Sequence, residues 1–201
     1  MPESPEQLYA RVVAQVGEGG RLPLPPVVAW DVFPFEGDLR TKVLRPPVAE
    51  EEPRGGEGGR PCDCEQGLPA ATIWHDDEWF VRSLDAPGGL PVVLLLQPRA
   101  HLDLDDLDED QAAALGRWTW RLHRVVGALP HVGRVHTMKI GDGGSHLHQW
   151  FVARPARFEQ LRGSLAQEWD DILPPVPEDV WRADLAHVAR GLAAYAGRAL
   201  V

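Results

Sequence analysis

After residue 61 the apolar residues follow two patterns. Short apolar runs predict strands, and apolar residues at helical spacing predict helices. Short β-branched and leucine-rich runs predict strands, and the run LPVVLLLQ, apolar at successive positions, is typical of a strand buried on both faces. Helical spacing predicts one long helix after the acidic stretch LDLDDLDED, with Asp108 as its N-cap, and another from about Glu178 to Leu200. The predicted strands are residues 71–73, 80–84, 90–97, 133–140 and 145–152.

The order of these elements predicts an α+β domain. We expect an antiparallel sheet of about five strands, with the long helix on one face and strand 145–152 near the centre. The domain is predicted to span residues 61–201, including its C-terminal helical segment.

The first sixty residues differ from the rest and are predicted to form a partly irregular N-terminal extension, residues 1–60. Residues 6–16 predict a short amphipathic helix. The proline-marked stretch around Val27–Phe35 offers either an edge strand or a segment lying across the core surface. The glycine-rich stretch EEEPRGGEGGR, residues 50–60, predicts a mobile loop.

The amino-acid composition limits the classes of binding partner and the cellular compartment that we expect. The chain has 201 residues and a formal net charge of −10, which disfavours general nucleic-acid binding. Two cysteines, two residues apart, cannot staple a fold, so free thiols or metal ligands in a reducing compartment are expected. The start has no signal-peptide pattern, and the longest apolar run, Val92–Leu96, is far too short for a membrane span. We therefore expect a cytoplasmic protein with no membrane partner.

The pair His146 and His148 carries the clearest chemical signal. Side chains alternate along a strand, so His146, His148 and Trp150 share one face, with the two imidazoles about 6–7 Å apart. A single histidine is more often an ordinary core or surface residue, but a pair that follows a glycine-rich turn (Gly141–Gly144) has no packing reason of its own. Backbone N–H groups of that turn, at Gly143 and Gly144, and the Ser145 hydroxyl suit phosphate oxygens.

The segment GDGGSHLHQWFVARP, preceded by QPRAHLDLDDL, resembles the histidine-triad (HIT) superfamily over residues 62–155. The resemblance implies a HIT-like fold and nucleotide chemistry: hydrolysis or transfer of a nucleotidyl group from a nucleoside phosphate through a covalent nucleotidyl-histidine. It places the nucleophile at His148, oriented by the backbone carbonyl of His146. The residues then expected to bind substrate are Ser145, Gly143, Gly144, Lys139 and Trp150.

The sequence departs from the family pattern at two places. Trp150 stands where the third histidine belongs, and an indole N–H donates a hydrogen bond but cannot shuttle a proton. The preceding strand, with Thr137-Met138-Lys139, lacks the asparagine that family members tend to carry. Lys139, Arg99 or Arg154 could compensate. The alternative is a catalytically silent HIT-fold protein that binds a nucleotide or a protein partner.

The resemblance also implies a structural zinc ion and a homodimer. Some HIT members bind zinc through two cysteines and two histidines, which here correspond to Cys62, Cys64, His101 and His146. Two sulfur and two nitrogen donors make a suitable tetrahedral set. The other interpretation is a pair of exposed thiols in a loop. Many HIT proteins dimerise, although nothing in this sequence requires it.

Overall fold

The computed structural model describes residues 3–201, which divide into a unit ending at Glu52 and a unit spanning Pro53–Val201. The first unit contains helix α1 (Pro5–Val13), which begins at the N-cap Ser4, where the hydroxyl accepts the Gln7 N–H. The stretch after Leu24 forms a short 3-10 helix, Pro26–Ala29, rather than an edge strand.

The second unit is built on one antiparallel sheet. Its strands are β1 (Thr72–His75), β2 (Trp79–Ser83), β3 (Val93–Pro98), β4 (Val132–Lys139), β5 (Gln149–Pro155) and β6 (Arg198–Ala199). Their order across the sheet is β4-β5-β3-β2-β1-β6, and every pairing is antiparallel. The predicted α+β class is confirmed, with six strands where about five were expected.

Three α-helices accompany the sheet: α2 (Glu109–Gly127), α3 (Ala166–Ile172) and α4 (Glu178–Ala193). Asp108 caps α2 as predicted, because its carboxylate accepts the Gln111 N–H at 2.8 Å. The main core lies between one sheet face and the apolar faces of α2 and α4. No helix within residues 3–201 is both long and apolar enough to cross a membrane.

The C-terminal helix is shorter than predicted. It ends at Ala193, and the chain then turns at Gly197 to add β6 beside β1, where the Leu200 N–H donates to the Ile73 carbonyl at 2.8 Å. Gly197 has φ of +79°, and a Cβ there would lie 2.5 Å from the His75 carbonyl oxygen. The turn therefore needs a glycine, a constraint that helical periodicity alone did not reveal.

Residues 53–60 belong to the second unit, although the sequence placed them in the N-terminal extension. Gly55 forms an isolated parallel bridge with Gly144, and its N–H donates to the Gly143 carbonyl at 3.0 Å. Residues 53–57 are called the strap below, because they lie against the glycine-rich turn.

The two helix tryptophans offer a test of this core. Trp118 is 5% exposed and packs on Trp74 with ring centroids 4.3 Å apart, whereas Trp120 is 54% exposed. We expect Trp118→Ala to lower the free energy of unfolding by about 3–5 kcal/mol, because it leaves a cavity in the core. Trp120→Ala should change it by less than about 1 kcal/mol. Urea denaturation of both variants measures the difference, and equal losses would contradict this packing.

Candidate functional site

A cleft of about 370 Å³ opens on the sheet face that points away from α2 and α4. Strand alternation sends Leu94, Leu96 and Phe151 into the main core, so the neighbouring residues of β3 and β5 face the cleft. The strand residues lining it are Phe80 and Arg82 on β2, Leu95 and Gln97 on β3, and Trp150 on β5. The cleft is thus a partly apolar surface that contains one guanidinium and one amide.

His146 and His148 lie in the segment directly before β5, not within it as predicted. The strand begins at Gln149, because the preceding residues leave the ladder: the Leu147 N–H donates to the Leu102 carbonyl. Alternation still holds, since both imidazoles line the cleft while Leu147 is 1% exposed in the main core. Gln149 faces α2, as expected for the opposite face, and accepts a hydrogen bond from the Thr119 hydroxyl at 2.7 Å.

Backbone carbonyls determine which nitrogen of each imidazole carries the proton. His146 donates from Nε2 to the Pro98 carbonyl at 2.7 Å, and His148 donates from Nδ1 to the His146 carbonyl at 2.8 Å. The lone pairs therefore remain on His146 Nδ1 and His148 Nε2. The His148 contact is the one that the family resemblance predicted.

The predicted metal ligands lie together. Cys62 Sγ is 3.5 Å from His146 Nδ1, and Cys64 Sγ is 3.3 Å from His101 Nδ1. The two sulfurs are 3.0 Å apart, and all four ligand atoms lie within 4.8 Å of one another. We call Cys62, Cys64, His101 and His146 the Cys/His cluster.

The Cys/His cluster has the chemistry and size of a zinc site. In a tetrahedral zinc site, sulfur and nitrogen ligands lie about 3.5 Å apart and two sulfurs about 3.7 Å apart. The Cys62–His146 and Cys64–His101 distances match these values, and the two sulfurs need to separate by roughly 1 Å or less. Each histidine also has its second nitrogen engaged, His146 with Pro98 and His101 with the Ser145 hydroxyl at 3.3 Å, as metal-binding imidazoles generally do. These four residues can hold a metal ion, and zinc suits them.

Burial keeps two members of the Cys/His cluster, Cys64 and His146, neutral when no cation is bound. Burial, aided by the neighbouring Cys62 sulfur, raises the pKa of the Cys64 thiol to about 11. Burial also lowers the pKa of His146, outweighing its hydrogen bond to Pro98. The neutral His146 imidazole is ready to bind a metal, whereas the Cys64 thiol needs a nearby cation to lose its proton.

The glycine-rich turn contacts the strap rather than leaving its polar groups free. The Ser145 N–H donates to the Gly55 carbonyl at 3.0 Å, and the Ser145 hydroxyl contacts that carbonyl and His101. Gly143 and Gly144 do line the cleft, but Ser145 does not. In this arrangement Ser145 contacts His101 of the Cys/His cluster, whereas the sequence predicted a phosphate contact.

Lys139 also lies outside the cleft lining, because an acidic side chain holds it. Its Nζ is 3.1 Å from one oxygen of Asp103, and Arg54 Nη1 is 2.8 Å from the other. Arg54 donates as well to the Gly141 carbonyl at 3.0 Å and pairs with Glu57. These contacts hold the strap against the glycine-rich turn. The Lys139 charge therefore pairs with Asp103 beside the turn and does not face the cleft. Trp150 does line the cleft, with its ring centroid 6.3 Å from that of His148.

The order of the elements, the antiparallel pairing and the two histidines before β5 agree with the architecture that the sequence motifs predicted. The fold is HIT-like.

Several solved structures of histidine triad proteins are similar to this chain. A zinc-bound family member from Mycobacterium smegmatis is 19% identical, with 65% of this chain and 92% of that chain covered and a TM-score of 0.47. A protein from Bradyrhizobium japonicum is 22% identical (62% and 96% covered, TM-score 0.46), and one from Sinorhizobium meliloti is 17% identical (60% and 90% covered, TM-score 0.48). No family model matches the sequence, and no curated protein matches it. At these values the similarity concerns the course of the chain and says nothing of activity.

Sequence reasoning missed three contributors to this site. Arg82 and Gln97 line the cleft, but in the sequence they stand within ordinary strand patterns and carry no motif. The sequence also predicts a mobile loop at Gly56. Gly56 has φ of +87°, and a Cβ there would lie 2.5 Å from His101 Cε1. The glycine repeat in the strap was the available signal, but its position against His101 depends on the fold.

The Cys/His cluster predicts the metal content of the purified protein. We expect about one zinc ion per chain by plasma mass spectrometry, and a lower melting temperature after treatment with a chelator, because binding energy of a structural metal adds to folding stability. Replacing Cys64 with Ser should abolish both the zinc content and the chelator effect. Full zinc content in that variant would contradict the assignment.

Two glycines, Gly56 in the strap and Gly59 just after it, provide a matched test of how the strap supports the Cys/His cluster. Gly56 and Gly59 both have positive φ, +87° and +81°, but a Cβ at Gly59 would meet nothing within 4 Å. Backbone strain is therefore similar in the two alanine variants, and only Gly56→Ala pushes against His101. We expect Gly56→Ala to lose zinc to a competing chelator at least tenfold faster than Gly59→Ala. Equal rates of zinc loss in the two variants would show that the close approach of residue 56 to His101 does not affect zinc retention.

Proposed function

We propose that the protein binds a nucleoside phosphate in the cleft and transfers or hydrolyses its nucleotidyl group through His148. The observation that carries the proposal is the hydrogen bond from His148 Nδ1 to the His146 carbonyl, which leaves the Nε2 lone pair available in a ring that lines the cleft. A neutral, oriented imidazole is a competent nucleophile at neutral pH.

The proposed reaction has two displacements. His148 Nε2 attacks the α-phosphorus, an N–P bond forms, and the bond from phosphorus to the leaving-group oxygen breaks with its electron pair on that oxygen. Water or an acceptor phosphate then attacks the same phosphorus, a new P–O bond forms, and the N–P bond breaks with its electron pair on Nε2, which returns the free imidazole. When water is the acceptor, the proton that it loses passes to solvent. Splitting one difficult displacement into two easier ones is the benefit of covalent catalysis.

Trp150 limits which leaving groups suit this site. An indole N–H can donate to a developing charge, but it cannot deliver a proton to a departing group. A leaving group that is stable as an anion, such as a phosphate or a nucleoside phosphate, needs no such proton. We therefore propose polyphosphate substrates over those that release an amine.

The metal, when bound, would contribute structurally. Cys62, Cys64, His101 and His146 would hold zinc in a four-ligand site, which has no open position for a substrate. His146 would thereby be fixed from both nitrogens, and its carbonyl would keep His148 in the reactive orientation.

A silent nucleotide-binding or partner-binding protein is the second candidate, and Trp150 is the observation that favours it. The third imidazole of the family pattern is replaced by a bulky indole that lines the cleft. For either function we propose a cytoplasmic location, which the two free thiols suit. A homodimer remains a prediction from the resemblance.

The nucleophile can be identified directly. Incubation with dinucleoside polyphosphates followed by a rapid quench that preserves the acid-labile N–P bond should give an intact-mass increase of one nucleotidyl group. His148→Ala should abolish the adduct and lower turnover by at least a thousandfold, because no other group in the cleft replaces the nucleophile. His123→Ala, a change at an exposed histidine on α2, is the control and should behave as the wild type.

Turnover that survives in His148→Ala would exclude the phosphohistidine route. Nucleotide binding with no adduct and no turnover for any substrate would support the silent alternative.

A further inference from the structure

Arg82 lines the cleft from strand β2. It lies on β2 opposite Leu95 of β3, which in turn lies opposite Trp150 of β5, so these three residues form one row across the cleft face of the sheet. Neighbouring strands are about 4.8 Å apart, which places the Arg82 and Trp150 backbones roughly 10 Å from each other. The Arg82 side chain therefore begins two strands away from the substituted third position of the triad.

The guanidinium of Arg82 is held at one nitrogen only. Nε donates to Gln97 Oε1 at 2.8 Å, and Gln97 is 8% exposed. Within residues 3–201, no carboxylate lies within 4.0 Å of the guanidinium, and neither Nη atom has a hydrogen-bond acceptor. A partly buried cation without a counter-charge costs free energy, which is usually recovered when a ligand supplies the charge.

Two other basic side chains near the cleft differ from Arg82 because each has a carboxylate partner. Arg54 and Lys139 are also only partly exposed, and both pair with Asp103. Among the described residues that line the cleft, Arg82 is the one lysine or arginine. The chain as a whole carries a net charge of −10, so a cation with no carboxylate partner in the cleft is a local feature that favours an anionic ligand.

The geometry of the two Nη groups of Arg82 indicates which kind of anion they would bind. With Nε fixed by Gln97, the two Nη groups form a fork that matches two oxygens of a phosphate, a geometry a lysine cannot offer. Phe80 and Leu95 lie beside Arg82 on the same face and give an apolar surface for a flat ring.

We propose that Arg82, oriented by Gln97, is the phosphate-binding residue of the cleft and makes it select phosphorylated nucleosides over uncharged ones. The identity of the ligand as a nucleoside derivative rests on the function proposed above, whereas the anion preference rests on Arg82 itself. Arg82 acts here through binding, and no bond is made or broken at it.

Equilibrium binding of non-reacting ligands tests the proposal separately from catalysis. The probes are the four 5′-ribonucleoside monophosphates and the matching uncharged nucleosides, measured by titration calorimetry on the full chain. We expect the wild type to bind its preferred monophosphate at least tenfold more tightly than the nucleoside. Arg82→Gln should reduce that ratio to about one, while affinity for the nucleoside stays within threefold. Arg117→Gln, which removes the same charge from an exposed position on α2, should keep the wild-type ratio.

A second variant keeps the test informative if Arg82→Gln is unstable. Arg82→Lys retains the charge but not the fork, so it should bind the monophosphate several-fold more weakly than wild type and still prefer it to the nucleoside. Thermal melting of each variant confirms that folded protein is compared.

The outcomes separate this inference from the proposed chemistry. Selectivity that is lost in Arg82→Gln and kept in Arg117→Gln supports the proposal even if no adduct forms at His148. Selectivity unchanged in Arg82→Gln overturns it even if the adduct forms. A wild-type protein that shows no preference for the monophosphates, or binds none of the probes, overturns it as well.

Discussion

The site depends on one residue, His146, which makes three contacts with three different atoms. Its Nε2–H donates to the Pro98 carbonyl at the end of β3, its Nδ1 faces the Cys62 sulfur, and its backbone carbonyl accepts the His148 Nδ1–H. The sheet, the Cys/His cluster and the proposed nucleophile are therefore connected through a single imidazole and its peptide group. Because burial keeps that imidazole neutral, the same tautomer serves all three contacts.

The alternation of side chains around β5 separates stability from chemistry. Leu147 and Phe151 enter the core between the sheet and helices α2 and α4, while His146, His148 and Trp150 line the cleft on the other side. A shift of register by one residue would bury the imidazoles and expose the leucine, so core packing itself fixes which residues reach the cleft.

The strap explains how a glycine-rich stretch takes part in an ordered site. Arg54 connects it to Asp103 and to the Gly141 carbonyl, Gly55 exchanges hydrogen bonds with the turn, and Gly56 leaves room for His101. Asp103 joins Arg54 to Lys139 and is itself partly buried. Burial acts to raise its pKa, but hydrogen bonds from the Leu104 N–H, Arg54 and Lys139 outweigh it, so the pKa lies below its ordinary value and the carboxylate stays charged. The basic side chains next to the turn are thus used for structure, which leaves Arg82 as the cation facing the cleft.

The sequence by itself determined the α+β class, the Asp108 cap and the shared face of His146 and His148, because each depends on local periodicity or on residues within one motif. The grouping of Cys62, Cys64, His101 and His146 was implied by the resemblance to the HIT superfamily, and the fold brings these four residues together. The sequence did not determine that β5 begins at Gln149, that the last helix ends at Ala193 to make room for β6, or that Ser145 and Lys139 turn away from the cleft. Those outcomes depend on partners distant in the chain: Leu102 for Leu147, Ile73 for Leu200, Gly55 for Ser145 and Asp103 for Lys139. Arg82 and Gln97 likewise become a pair only when β2 and β3 align, since contacts between residues fifteen apart leave no pattern in the sequence.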